Sequence, residues 1–173
     1  LLEDRDENRI GGSVISDNYN GMFQIVEHLI TVHGCREFLF LSGPKDNTDS
    51  EERLSAFRDA LEKYNIPFDE DHLAEGDFSQ CCNKQIRTLL DKYPHADAFV
   101  CANDVMAETV YRECAARNII VGKDIAVTGY DDWNMAESMT PPLTTVLQNE
   151  LDMGYVCVRR IISLCNGEEP SDY

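Results

Sequence analysis

The sequence is poor in positive charge. Lys and Arg number 15 against 32 Asp and Glu, a formal net charge of −17 with a pI near 4.4. Gripping a phosphate backbone takes clustered Lys and Arg, and a polybasic membrane contact has the same need, so the balance argues against both. Long apolar runs are also missing. The longest resemble Phe38-Leu39-Phe40-Leu41, far short of the roughly 20 residues that cross a bilayer as a helix. Leu1 to Asn8 is acidic and lacks the charged-then-apolar design of a signal peptide. No Gly-rich phosphate loop, HExxH or GxSxG occurs. His28, His33, His72 and His95 stand at no metal-ligand spacing, so neither a metal nor a cofactor is expected. There is no CxxC among the seven cysteines, Cys35, Cys81, Cys82, Cys101, Cys114, Cys157 and Cys165. An odd number without a pairing pattern reads as free thiols in a reducing cytoplasm. Cys101 and Cys114 lie inside apolar patterns, where cysteine acts as a small hydrophobe. Cys81-Cys82 reads either as a redox pair or as two helix positions that face different ways.

What is present is the composition of a soluble globular protein, 43% apolar and 27% charged. Its 173 residues suffice for one ordinary domain or two small lobes. Ser13 to Ser16 is a short strand candidate, followed by turn chemistry at Asp17-Asn18-Tyr19-Asn20-Gly21. Met22, Ile25, Val26, Leu29 and Ile30 then recur at helical spacing up to Gly34. Phe38 to Leu41 reads as a strand buried on both faces. A capped helix carries Leu54, Phe57, Leu61 and Tyr64. A short strand spans roughly His72 to Glu75, and a helix carries Ile86, Leu89 and Leu90. Ala96 to Cys101 is a second buried strand, and Asn103-Asp104 opens a helix. Ile125 to Thr128 is a further strand, Leu143 to Leu147 is extended, and Glu150 to Cys165 is a last helix. Short buried strands alternating with amphipathic helices predict an α/β fold of parallel βαβ units with right-handed crossovers.

Ligands of an open parallel sheet bind beyond the carboxyl ends of its strands. The residues placed there are Ser42, Asp46, Asn47 and, one helical turn on, Arg53; then Asp77 and Phe78; then Asn103 and Asp104. Tyr130, Asp131, Asp132 and Trp133 follow the fourth strand, and Gln148 follows the extended segment. Carboxylates, amides, one guanidinium and aromatic rings suit a polyhydroxylated ligand. Asn and Asp after strands serve equally well as helix caps and turn formers, so position and residue type leave both readings open. An Asp131-Asp132 pair could also hold Mg²⁺, but no lysine follows a later strand to complete a phosphoryl-transfer site.

The ordered series Ser42-Gly43-Pro44, Glu52-Arg53-Leu54 to Phe57, Gly76-Asp77-Phe78, Cys101-Ala102-Asn103-Asp104-Val105-Met106-Ala107, Val127-Thr128-Gly129-Tyr130-Asp131-Asp132 and Pro142-Leu143-Thr144-Thr145-Val146 with Gln148 resembles the effector-binding domain of LacI/GalR-type regulators. The order holds from about Val14 to Gly167. The resemblance implies a periplasmic-binding-protein-like (type I) fold, two α/β lobes hinged about a small-molecule cleft. It implies part of the N-terminal lobe in 1–34, a complete C-terminal lobe in 35–145, and a helix and hinge return of the N-terminal lobe in 146–173. It implies ligand contacts from Arg53, Asp131, Asn103 and Phe78, the last as a stacking ring. Asp17 and Gln148 match cleft or hinge positions on the N-lobe side, and Asp46 with Asn47 falls in a variable loop. Trp133 has no fixed counterpart and belongs either to the hinge or to packing. Val32-His33-Gly34 stands where Leu-Gly-His is commoner, a departure shared with relatives whose sensor drives another output.

The implied function is a cytoplasmic, non-enzymatic sensing domain of a homodimeric regulator, taking a small-molecule effector, a carbohydrate. DNA would be bound only through a helix-turn-helix outside this segment, and no membrane is involved. Alternatives are the same sensor fused to a GGDEF diguanylate cyclase, a solute-binding protein, an acidic-pair metalloenzyme, or a pure interaction module. With one lobe incomplete, apolar faces near Ile25 and Ile161 are expected to be exposed.

Overall fold

The computed structural model describes residues 14–167. They divide into two compact units, Asn18–Leu147 and a smaller one made of the segments that flank it. The larger unit holds helix α1 (Asn18–Thr31), strand β1 (Phe38–Ser42), α2 (Thr48–Lys63), β2 (Leu73–Glu75), α3 (Asn83–Lys92), β3 (Ala98–Cys101), α4 (Asp104–Ala116), β4 (Ala126–Thr128) and the single turn α5 (Met135–Ser138). The four strands form one sheet in the order β2-β1-β3-β4. All pairs are parallel, with Phe40 opposite Leu73, Phe38 opposite Ala98, and Ala98 opposite Ala126. The chain leaves β1 toward one edge and then returns to build the other. Right-handed crossovers in opposite directions place α2, with α1 packed on it, on one face, and α3 with α4 on the other.

The central strands are mostly apolar because they are covered on both sides. Every residue of β1 and β3 is buried, as continuous apolar runs in parallel sheets are. Side chains alternate across β1. Phe38 and Phe40 meet Phe57 of α2, at ring-centroid distances of 6.2 and 4.5 Å, and Phe68 closes on Phe57 edge-on at 4.9 Å. Helix starts are set by side-chain caps. Asn47 accepts from the backbone N–H of Ser50, and Asn103 from that of Met106, each satisfying a donor that the first turn cannot pair. The seven cysteines are all free thiols, with Cys82 buried and its neighbour Cys81 exposed.

The large unit runs from Asn18 to Leu147, with α1 packed along α2 and Met22, Val26, Leu29 and Ile30 buried there. Two expectations are corrected. Ile25 is accordingly buried, whereas Ile161 is 59% exposed as expected. Residues 14–16 carry no strand, and Ser13 lies outside the described residues.

The smaller unit is represented by 14–17 and by 148–167, with helix α6 (Glu150–Cys165) capped by Asn149. Ser16 Oγ donates to Gln148 Oε1 at 3.0 Å. No residue of α6 is buried, and Leu151, Tyr155, Val158 and Ile162 are exposed along it.

Phe57 is the pivot of the aromatic cluster under β1 and is fully buried. Phe57→Ala is expected to lower unfolding free energy by about 3–5 kcal/mol, measured by chemical denaturation; a cost below ~1 kcal/mol would show that the cluster does not carry this face of the core.

Candidate functional site

The sheet order reverses beside β1, between β1 and β3, and the crevice at such a switch point is where α/β sheets take their ligands. Arg53, one turn into α2, is brought to the carboxyl ends of these strands and is only 3% exposed. Its guanidinium is held on three sides. Nε donates to Asn18 Oδ1 at 2.9 Å, and Nη1 donates to the Ala102 carbonyl at 2.6 Å. Nη1 also lies 3.5 Å from Asp131 Oδ1, an ion-pair contact longer than a tight hydrogen bond. The plane of the group is flanked by rings, with Cζ 3.7 Å from the Tyr130 centroid and 5.9 Å from that of Phe78. Among the described residues, Nη2 has no protein acceptor. Burial draws the Arg53 pKa downward, and the Asp131 carboxylate, first among its neighbours, opposes that.

Two glycines make room for the flanking rings. A Cβ on Gly43 would lie 2.1 Å from the Phe78 ring, and one on Gly21 would lie 2.7 Å from the Tyr130 hydroxyl. The loops are strained in the same places. Among the described residues, six non-glycine residues have positive φ. Asn65 and Asn118 sit just past the C-caps of α2 and α4, where left-handed Asn is ordinary. The other four, Asp46 (62°), Phe78 (59°), Asp131 (113°) and Asp132 (56°), all follow the carboxyl ends of strands. Left-handed backbone at a bulky residue persists only where surroundings enforce it, and such residues gather at ligand sites.

The enforcement at the β4 end comes from Asp104, which is fully buried. Its Oδ1 accepts from Thr145 Oγ1 at 2.6 Å and its Oδ2 from the Trp133 backbone N–H at 2.9 Å, while its own N–H donates to the Tyr130 carbonyl at 2.9 Å. One carboxylate thus ties the 130–133 loop and the returning 143–147 segment to the start of α4. Burial raises the Asp104 pKa, against the lowering effect of the Thr145 and Trp133 hydrogen bonds.

Of the sequence-derived candidates, the structure brings together Arg53, Asp131, Phe78 and Asn103, whose Nδ2 donates to the Phe78 carbonyl at 3.1 Å. Asn103 also caps α4, so both roles left open by the sequence are filled by one residue. Asp46 is exposed on the β1–α2 loop. Asp17 and Gln148 belong to the smaller unit, with Gln148 bonded to Ser16. Trp133 is half exposed, so its indole is not part of the core. Asn18 was not legible as a site residue. It read as one member of a turn, yet it is buried and joins two helices, accepting from Arg53 while its Nδ2 donates to Asp49 Oδ1 at 2.9 Å and Glu52 Oε2 at 3.0 Å. Tyr130 was placed at the end of the fourth strand by the sequence but not among the ligand contacts; its ring lies over the Arg53 guanidinium.

Comparison with known proteins gives a consistent set of likenesses. A family model described as a periplasmic binding protein-like domain matches residues 26–172. The chain is similar to the HTH-type transcriptional regulator CelR of Thermobifida fusca, with 35% identity over 153 residues, which cover 88% of this chain and 45% of CelR. It is 36% identical over 149 residues to the lactose operon repressor of Klebsiella pneumoniae, covering 86% of this chain and 41% of the repressor. The chain thus spans less than half the length of these curated relatives. Among solved structures, a CelR–cellobiose complex superposes with a TM-score of 0.84 at 35% identity, covering 90% of this chain and 47% of that one. The Escherichia coli repressor AscG superposes with a TM-score of 0.86 at 28% identity, covering 98% and 61%. No helix among the described residues is long and apolar enough to cross a membrane.

The donor–acceptor order around Asn18 generates a test. Asn18→Asp puts a carboxylate beside Arg53 but removes the amide donor and faces Asp49 and Glu52 with a like charge. We expect a loss of about 1–3 kcal/mol in unfolding free energy, measured in urea at neutral pH. A gain in stability would mean that the ion pair with Arg53 outweighs the lost donor.

Proposed function

The chain belongs to the periplasmic binding protein-like domain family, in the form carried by LacI/GalR-type regulators, and on that premise we propose that it is the effector-sensing part of a transcriptional regulator whose ligand is a sugar. The observation that carries the reading is the buried Arg53 guanidinium, fixed on Nε and Nη1 and open on Nη2. Sugar hydroxyls both donate and accept. Arg53 supplies a fixed donor, Asp131 an acceptor, and the Phe78 ring an apolar face for the C–H side of a pyranose. Fixing the donor before binding reduces the ordering cost of recognition. The structural neighbour CelR binds cellobiose, and another structural neighbour is a sugar-binding transcriptional regulator of Escherichia coli, which supports a carbohydrate over other small polar ligands.

In this reading Asn18–Leu147 is the C-terminal lobe, and 14–17 with 148–167 are pieces of the N-terminal lobe. Asp46 on the larger unit, and Asp17 and Gln148 on the smaller one, are proposed as further ligand contacts. A ligand shifts such a protein between conformations only by as much as its affinity for one exceeds that for the other. The output is DNA binding by a helix-turn-helix region, since the relatives named above are HTH-type regulators and operon repressors. The protein acts in the cytoplasm as a dimer, and no catalytic step is part of its role.

The test is a thermal-shift panel of sugars on the intact protein, with cellobiose as the first probe, followed by titration. A ligand at about 100 times its Kd adds ~2.7 kcal/mol of stability. Asp131→Ala and Arg53→Ala are each expected to weaken binding by about 2 kcal/mol, roughly 30-fold. Trp133, the only tryptophan in the chain, follows directly on Asp131-Asp132 and offers a fluorescence readout. Affinity unchanged within twofold in both variants would remove Arg53 and Asp131 from the site.

A further inference from the structure

Four histidines stand at no recognisable metal spacing in the sequence, yet the fold joins two of them. His28 lies in the last turn of α1, and His33 lies in the turn that leads to β1. Their Nε2 atoms are 3.1 Å apart, with ring centroids at 4.9 Å and planes inclined by 76°. Both side chains are exposed.

Backbone hydrogen bonds hold the segment that sets this pair. The Val32 N–H donates to the His28 carbonyl at 2.9 Å, and the Cys35 N–H to the Leu29 carbonyl at 3.1 Å. Gly34 takes φ 71°, and Cys35 is buried. The turn therefore presents His33 against the face of α1 without a free hinge between them.

A 3.1 Å separation of two imidazole nitrogens has two uses. Without a metal, one neutral ring donates to the other, a single exposed hydrogen bond. With a metal, both nitrogens are ligands. Zn–N bonds run about 2.0–2.1 Å, so two nitrogens on one ion lie roughly 2.9 Å apart at a right angle and roughly 3.3 Å at the tetrahedral angle. The observed distance falls between these limits. Imidazole pairs suit Zn²⁺, Ni²⁺ and Cu²⁺, whereas Mg²⁺ and Ca²⁺ prefer oxygen.

We propose that His28 and His33 form a bidentate site for a divalent transition-metal ion of the Zn²⁺, Ni²⁺ or Cu²⁺ class. The site is open. Among the described residues no group of three or more His, Cys, Asp and Glu converges on one point, so water completes the coordination sphere. His33 also borders a cavity lined by Asp97, Ile125 and Ala126, which lie at the amino ends of β3 and β4. The metal therefore sits at the opposite end of the sheet from Arg53. Bridging the end of α1 to the turn before β1, it stabilises the fold without entering the effector site.

Nickel is the probe, applied to the intact protein with the exposed Cys81, Cys157 and Cys165 changed to Ser so that thiolates do not compete. Calorimetry is expected to show one saturable Ni²⁺ equivalent that is absent from both His28→Ala and His33→Ala. Melting temperature is expected to rise by a few degrees with excess Ni²⁺ in the parent and to stay level in each variant. Both positions are exposed, so the variants fold. Absence of saturable binding in the parent, or binding that survives loss of either histidine, overturns the proposal. Because it needs no sugar, its outcome is independent of the effector reading.

Discussion

A guanidinium taken out of water must find acceptors, since its charge persists at any ordinary pH and its donors are costly to leave unpaired. Arg53 is 3% exposed, and the architecture of this domain is arranged around that requirement. Asn18 at the start of α1 supplies one acceptor, the Ala102 carbonyl just past β3 a second, and Asp131 after β4 a third. Three separately folded segments converge on one side chain. The parallel sheet makes this possible, because parallel strands deliver all their carboxyl ends to the same edge.

The acceptors are themselves held. Asn18 is locked by Asp49 and Glu52 on its amide side. The 130–133 loop, with Asp131 and Asp132 at positive φ, is restrained by the buried Asp104 carboxylate, which also engages Thr145 on the returning segment. Strain in a loop is retained only when neighbouring structure over-determines it, and Asp104 is that structure here. The same contacts join the 130–133 loop to the 143–147 segment that leaves the unit.

The fold was legible because its signals are local. Continuous apolar runs at Phe38 to Leu41 and Ala98 to Cys101, and the helical stripe of Glu150 to Cys165, fell where the elements lie. The meeting of Arg53, Asp131, Asn103 and Phe78 was legible because strand ends in a parallel sheet share one edge. The remainder depends on contacts that no local pattern encodes. Asn18 reads as a turn residue until α2 is placed against it. The apolar face of α1 shows that it must be covered, but not that α2 covers it. His28 and His33 stand five apart, which brings two rings together only when a glycine turn folds the chain back.

The central claim is that Arg53 is fixed by the protein on Nε and Nη1 and donates to the ligand from Nη2. The most direct measurement is side-chain ¹⁵N NMR of the arginine groups, assigned with Arg53→Lys, before and after saturation with a sugar that stabilises the protein. The account predicts slow-exchanging Nε–H and Nη1–H signals for Arg53 in the free protein, with the Nη2 protons appearing or shifting strongly only in the complex. Arg53 signals that are fast-exchanging in the free protein, or that remain unchanged when the sugar binds, would contradict it.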